Sequence, residues 1–424
     1  MDEKLLQYIW KHKLFDTTQC YTTSGEKISI VSLGEQNFNS GPDFFNAKIK
    51  IDNTLWAGCV EIHLKSSDWI KHHHQNNKEY SNVILHVVYE HDKDFLFHDN
   101  KIIPTLELKS LIPSQIINTY ASYMLSKESI ACKNQFPHLD SFRLFTWLDR
   151  LMIERFEEKI EFVSQIIQHT NHNQEEAFYV FLAYYFGFKV NNLPFQLLAS
   201  SLPLIFLAKH KNNLFQVEAM LFGQAGFLEE EFTDEYPQKL QKEYRFLKHK
   251  FSLEKVCEKS MWKFAKIYPS GFPTIRIAQL AMLIHQSSAL LSKILEAENI
   301  QEIQKVFQMQ LHDYWQTHYV FDVETSRKTA KIGEMAINTL IINAVLPFMY
   351  YIGSMKNNQN LKDRALEFYE QLPLENNKIV KTYTNLRKDF KNALHSQALI
   401  QLKKKYCDSK ECLRCGIGLY MLKL

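Results

Sequence analysis

The stretch Gly58-Cys59-Val60-Glu61-Ile62-His63-Leu64-Lys65 alternates apolar and ionisable residues, which is the period of a β-strand. Val60, Ile62 and Leu64 then point to one face, and Glu61, His63 and Lys65 to the other. The apolar set belongs in a core, so three ionisable groups gather on the opposite face. Working outward, Asp52-Asn53 is a turn, and residues 44–51 form a second strand that pairs with the first as a hairpin. Asp43 opens that earlier strand and can approach Glu61. Residues 83–90 are a nearly continuous apolar run, as in a strand covered on both faces. Residues 27–33 and 102–108 are further strands. Residues 4–12 form a short helix with Leu5, Leu6, Tyr8, Ile9 and Trp10 on its apolar side.

From about Pro113 the pattern is helical. Residues 142–167 have apolar side chains at three- and four-residue spacing. Further helices are predicted at 174–187, 195–209, 215–222, 237–249, 275–296, 301–316, 333–352, 361–371 and 378–405. The expected fold class is α+β: a small N-terminal mixed α/β domain (1–112), a linker (113–140), a large all-α domain (141–402) and a Cys-rich tail (403–424). Arg150, Glu154, Arg155 and Glu158 have the spacing of a solvated helix face. Asn338 and Asn343, in an apolar helix, call for buried amide partners. Phe222-Gly223-Gln224-Ala225-Gly226-Phe227 lacks a phosphate-loop lysine and reads as a tight helix connection.

The 424 residues carry a net charge of +3, so the chain does not announce nucleic acid by its total charge; a local basic groove stays open. The start, Met1-Asp2-Glu3-Lys4, lacks the basic and apolar regions of a signal peptide. The longest apolar stretch, 336–352, is interrupted by Asn338, Asn343 and Pro347, which fits a buried core helix and no membrane partner. Seven cysteines, an odd number, do not suggest a disulfide framework, and the expected compartment is the cytoplasm.

Two neighbouring carboxylates, Asp43 and Glu61, repel each other and need a cation or a shared proton. Oxygen ligands suit Mg²⁺ or Mn²⁺, and such an ion can polarise a phosphodiester. His63 or Lys65 would assist the attacking water and the developing charge. Asp68, His72, His74 and His86 are second-rank candidates. With His63 the three histidines offer imidazoles for zinc, so a His-rich zinc-dependent hydrolase is an alternative. A histidine inside an apolar strand, such as His86, is also commonly a satisfied core residue, and His72-His73-His74 also reads as a solvated loop.

Pro42-Asp43 and Glu61-Ile62, on successive strands after a helix, resemble the motif of the PD-(D/E)xK nuclease superfamily. His63 stands where that motif has lysine; Lys65 lies one repeat further along the same face. The resemblance implies a nuclease-like core over residues 1–110, with Asp43 and Glu61 holding the metal and DNA or RNA as partner. A non-catalytic nucleic-acid-binding or scaffold protein on a degenerate core is the alternative that the missing lysine supports. Gly41-Pro42-Asp43-Phe44, Val60-Glu61-Ile62-His63, Ser66-Ser67-Asp68-Trp69 and Asn82-Val83-Ile84-Leu85-His86-Val87-Val88 also resemble an uncharacterised bacterial family of unknown function. That likeness extends into the helical part through Phe222–Phe227 and Pro273–Leu280 and implies an architecture but no activity.

Near the end, Cys407, Cys412 and Cys415 have C-x4-C-x2-C spacing, which can converge on zinc or an iron–sulfur cluster. Cys132 is the preferred fourth ligand, with Cys257, His138 and His395 as others. Some PD-(D/E)xK nucleases hold an iron–sulfur cluster with a similar outline of cysteines. Unligated thiols in a reduced compartment are the plain alternative. The nearby Lys403-Lys404-Lys405, Lys410, Arg414 and Lys423 read as a solvated cationic stretch complementing a helix end.

Overall fold

A computed structural model describes residues 1–94, 102–326 and 331–422; Lys423, read as part of the basic tail, lies outside the described residues. The fold is α+β and divides into two compact units, Met1–Trp147 with Leu402–Leu424, and Leu148–Gln401. The expected linker is thus built into the first unit, where it carries a helix, and so is the C-terminal tail.

The first unit is built on one sheet. Strands β1 (Ile28–Ser32), β2 (Glu35–Gln36), β3 (Phe44–Ile51), β4 (Thr54–Lys65), β5 (Val83–Glu90) and β6 (Thr105–Glu107) run β1-β3-β4-β5-β6, with β2 also on β3. The hairpin β3–β4 turns at Asp52-Asn53, where Asp52 adopts φ 48° and its Oδ1 accepts the Lys27 N–H at 2.9 Å. Beyond β4 the chain crosses over to β5, which pairs parallel to it, and β6 is parallel to β5. Helix α1 (Glu3–Lys11) precedes the sheet. The Asp2 side chain caps it by accepting the Leu5 N–H at 2.8 Å, which satisfies an otherwise orphaned donor. Its buried side is Leu5, Leu6, Tyr8, Ile9 and Trp10, as expected. The short helix α2 (Asp68–Lys71) lies in the β4–β5 crossover, and α3 (Ser114–Leu125) follows the sheet.

The second unit is helical. Several predicted helices are broken. Residues 195–209 divide into Asn192–Ser201 and Leu204–His210 at Pro203, which lacks the N–H that a continuing helix needs. Residues 275–296 divide into Pro273–Gln286 and Leu290–Glu296, with Ala289 at φ 52° between them. Predicted 301–316 is helical only at its two ends, Ile300–Val306 and Tyr314–Thr317, and 378–405 is interrupted after Thr384. The Gly226 turn adopts φ 78°, and the Trp262 indole donates to the Ala225 carbonyl at 2.8 Å.

The apolar helix Glu334–Met355 is the described segment long and apolar enough to cross a membrane, and 72% of its most apolar window is buried within the protein. Its middle, Ile341–Val345, is π-helical. In this stretch the Ile342 carbonyl accepts from Tyr369 Oη at 2.5 Å and Lys159 Nζ at 3.3 Å. Asn338 Oδ1 accepts from Gln304 Nε2 at 2.8 Å, and Asn343 Oδ1 from Lys159 Nζ at 3.2 Å; both amides thus have the partners their burial calls for.

The charged face of residues 150–158 is solvated in part: Arg150 and Glu158 are exposed, as expected, while Glu154 and Arg155 are half-buried. Arg155 Nε donates to Gln397 Oε1 at 2.5 Å, Glu158 accepts from Gln401 Nε2 at 2.9 Å, and Lys159 is 8% exposed. Spacing of three and four residues puts charges on one face but does not say what covers it; here two buried glutamines do.

Glu218, on Leu214–Gln224, is buried and accepts from the Tyr236 hydroxyl and, at 3.0 Å, the Trp315 indole. Burial raises its pKa to about 7, against those two hydrogen bonds. A raised carboxyl pKa means that the fold prefers the neutral acid. Its stabilisation is full below the ordinary carboxyl value and is lost as pH rises through 7. Glu218→Gln is expected to remove about 2–3 kcal/mol of that pH dependence. Urea midpoints of both proteins at pH 5 and pH 8 check it: wild type should lose ground relative to the variant at pH 8.

Candidate functional site

The approach of Asp43 to Glu61 depends on a bulge. Along most of the hairpin Ala47 faces Gly58 and Ile51 faces Thr54, but Phe44 faces Val60. One surplus residue therefore sits in β3, where Asn46 takes φ 57°, a conformation asparagine tolerates better than most residues. Extended by one step, the shifted register sets Asp43 opposite Glu61 and on the same face. An unbroken register would set it opposite Ile62, on the other face. The two acids grip each other's strand: the Asp43 N–H donates to Glu61 Oε2 at 3.0 Å, and the Ile62 N–H donates to Asp43 Oδ2 at 3.0 Å.

Imidazoles surround the same point. Glu61 Oε1 lies 3.5 Å from His63 Nε2 and 3.3 Å from His74 Nε2. His63 Nε2 lies 3.1 Å from His72 Nδ1, and one ring nitrogen from each of His63, His72 and His74 falls within 4.8 Å of the others. Four donors on a tetrahedral zinc, with bonds of about 2.0–2.1 Å, are separated by about 3.3 Å. The separations of 3.1, 3.3 and 3.5 Å match that edge length. His86, opposite Glu61 on β5, places Nε2 2.9 Å from His63 Nδ1. With the shared proton on Nδ1 of His63, its Nε2 presents a lone pair to the Glu61–His72 side. His73, at φ 60°, turns the chain so that His72 and His74 both reach this point.

Aromatic side chains close the site from below. Trp69 is fully buried, with ring centroids 6.2 Å from His63, 5.3 Å from His74 and 5.2 Å from His86. Tyr80 stacks on His74 at 3.8 Å. On the open side, His72 is exposed. Helix α1 contributes two residues that the motif reading passed over. Gln7 Nε2 donates to Asp43 Oδ1 at 2.8 Å, and the Glu3 carboxylate acts electrostatically on Asp43, Glu61, His72 and His74. Their signal was a polar pair four residues apart on one face of an otherwise buried helix.

Lys65 is not among these groups. It is exposed at the end of β4, with Asp92 and Glu90 as its charged neighbours. Asp68 accepts the Lys65 N–H at 3.0 Å and Lys71 Nζ at 2.5 Å, fixing the start of α2. Ser66 and Ser67 both bind Asp92. The Ser66-Ser67-Asp68 motif thus builds the crossover that delivers Trp69 and the histidines.

The electrostatics follow from burial. It raises the pKa values of Glu61 and Asp43, and for Asp43 the Glu61 charge adds to it. It holds His63 and His86 far below the usual imidazole range, with the neighbouring histidines acting in the same direction. The buried histidines His63, His74 and His86 thus present neutral nitrogen lone pairs beside carboxyl groups whose negative charge a cation would stabilise.

The remaining sequence candidates are the cysteines. Cys407, Cys412 and Cys415 each act electrostatically on Cys132. Cys257 lies in the second unit, where its thiol faces the Pro194 carbonyl, and so does His395; His138 is exposed.

The chain belongs to a family described as a protein of unknown function, DUF2851, which it matches over residues 3–378. No curated protein and no solved structure gives a significant match.

Proposed function

We propose that this chain is a metal-dependent hydrolase of phosphodiester bonds in DNA or RNA, centred on Glu61, His63, His72 and His74, with Asp43 beside them. The observation that carries the proposal is the donor spacing of 3.1, 3.3 and 3.5 Å around Glu61 and His63. Three nitrogen donors favour Zn²⁺ or Mn²⁺ over the Mg²⁺ expected for an oxygen-only pair. A bound divalent ion supplies an acidified water and a polarised phosphoryl oxygen. The chain's own residues orient that chemistry. His86 sets the His63 tautomer, Gln7 and the Ile62 N–H fix Asp43, and the exposed His72 side admits substrate. The order helix, acid-bearing hairpin, crossover helix and parallel strand supports a phosphodiester substrate, because it is the order the nuclease resemblance implies. Seven cysteines without a disulfide support a reducing compartment such as the cytoplasm.

The test is cleavage of single- and double-stranded DNA and RNA with Zn²⁺, Mn²⁺, Mg²⁺ or EDTA. Cleavage that needs Zn²⁺ or Mn²⁺ is expected; no cleavage under any of these conditions overturns the reading. A second prediction concerns His86. Its replacement by phenylalanine keeps an aromatic ring in the core but removes the partner of His63 Nδ1. Metal affinity is expected to fall about 10- to 100-fold, measured by chelator competition, with the fold retained.

The position of Lys65 favours a second reading. With its ammonium beside Asp92 and Glu90, the Asp43–Glu61 pair lacks the motif's cation, as in a non-catalytic nucleic-acid-binding protein on a degenerate core. That protein would bind DNA or RNA in a salt-dependent, EDTA-insensitive way without cutting it.

A further inference from the structure

The geometry points to a second metal centre in the first unit, a tetrathiolate site formed by Cys132, Cys407, Cys412 and Cys415. It is separate from the histidine cluster and stands or falls independently of the proposed hydrolase activity.

The four thiols arrive from two distant segments. Cys132 starts a tight turn after α3, its carbonyl accepting the N–H groups of Gln135 and Phe136 at 3.1 and 3.0 Å. Cys407 ends the π-helical run Leu402–Cys407. There Lys410, at φ 53°, reverses the chain, and the Glu411 N–H closes the turn on the Tyr406 carbonyl at 2.8 Å. Cys412 and Cys415 follow in the turn of this knuckle that leads into the helix Gly416–Leu422. Lys410 pins the knuckle to the first unit through the carbonyls of Met124 and, at 3.0 Å, Ser126. This lysine, expected in solvent, instead satisfies the carbonyl end of α3.

The closure is tight. A Cβ on Gly418 would come within 2.2 Å of the Cys412 carbonyl oxygen, and one on Gly416 within 2.6 Å of the Trp147 ring. The Cys415 sulfur accepts backbone N–H groups from Ile417 and Gly418, an arrangement that stabilises a thiolate. Cys132 interacts electrostatically with all three of the others, and Cys407 with Cys412 and Cys415. None of the four is in a disulfide. Tyr123, 1% exposed, lies beside Cys132 and Cys412 with its hydroxyl buried and without a hydrogen-bond partner. A polar atom buried in that state is costly, and a sulfur made anionic by a metal is an acceptor for it.

Four gathered thiols have modest value as packing. A metal displaces the thiol protons on binding and gives the gathered sulfurs a common partner. Zinc and an iron–sulfur cluster share this ligand chemistry.

The experiment is elemental analysis, acid-labile sulfide determination and absorption spectroscopy of the full chain purified anaerobically. It is run on wild type, on Cys412→Ser/Cys415→Ser and on Glu61→Gln. The expected result is a metal that wild type and Glu61→Gln both carry and the double serine variant lacks. Zinc without visible absorption identifies a zinc site; iron and sulfide with visible charge-transfer bands identify a cluster. Because the serine variant can fail to fold, alkylation of native wild type is a second readout. Cys132, Cys407 and Cys412, the partly exposed thiols of the set, should resist iodoacetamide in the folded chain until a strong chelator is added. Wild type that holds neither metal, takes up no zinc when titrated and alkylates at Cys132, Cys407 and Cys412 while folded overturns the proposal.

Discussion

Glu61→Gln is expected to give a folded chain that no longer cleaves nucleic acid and no longer gains stability from Zn²⁺ or Mn²⁺. Glutamine matches glutamate in shape, and its carbonyl oxygen can still accept the Asp43 N–H that Glu61 accepts at 3.0 Å. What disappears is the charge 3.5 Å from His63 and 3.3 Å from His74. Loss of an outer-shell partner lowers metal affinity or activity about 10- to 100-fold, so loss of a direct ligand should exceed about 100-fold. The thermal readout is independent of substrate. Metal at about 100 times its Kd stabilises the folded state by about 2.7 kcal/mol, and the variant should show no such shift. Without metal it should be no less stable than wild type, because repulsion with Asp43 is relieved. A variant that keeps both the metal shift and the cleavage would sink the assignment of Glu61.

Trp69→Ala carries the largest expected loss of stability. The side chain is fully buried in a cluster with Cys59, Tyr80, Val83 and Ile103, and it borders His63, His74 and His86. Truncating a buried tryptophan costs about 3–5 kcal/mol through lost contact and the cavity left behind. The imidazoles also lose the wall that orients them, so metal affinity should fall together with the urea midpoint. Trp69→Phe, which fills most of the space, should recover most of both. Wild-type metal affinity in Trp69→Ala would show that the histidines are held by their hydrogen bonds and by Tyr80 alone.

Much of this site was legible in strand parity. Alternation along residues 58–65 placed Glu61 and His63 together, and the apolar run at 83–90 read as a strand carrying His86, whose place beside them only the sheet pairing supplies. Parity was correct for Lys65 but incomplete, because it does not say where a strand leaves its neighbours. Lys65 stands opposite Glu90 at the last step of the β4–β5 ladder, where its side chain is exposed. Glu3 and Gln7 were hidden by an opposite problem. A helix can be read for its buried face without regard to the polar residues that flank that face. The contacts of Arg155, Glu158 and Lys159 were illegible for a long-range reason. Their partners Gln397 and Gln401 are more than two hundred residues away in sequence, and nothing local marks them. The convergence of His72 and His74 rested on one left-handed residue, His73, in a run of three identical letters.

The surplus residue in β3 bears on how function is inherited in this family. Asn46 supplies no ligand and lies two positions beyond the Gly41-Pro42-Asp43-Phe44 motif. Yet it is the length of this segment, and not the identity of any side chain in it, that chooses the side of the sheet on which Asp43 stands. A relative one residue shorter between Phe44 and Ala47 would retain every signature letter and the same hairpin, with its acid turned away from the histidines and Phe44 turned out of the core. Within such a lineage, site-bearing and site-less members would be told apart by counting residues between motifs, where comparing the motifs themselves would report no difference.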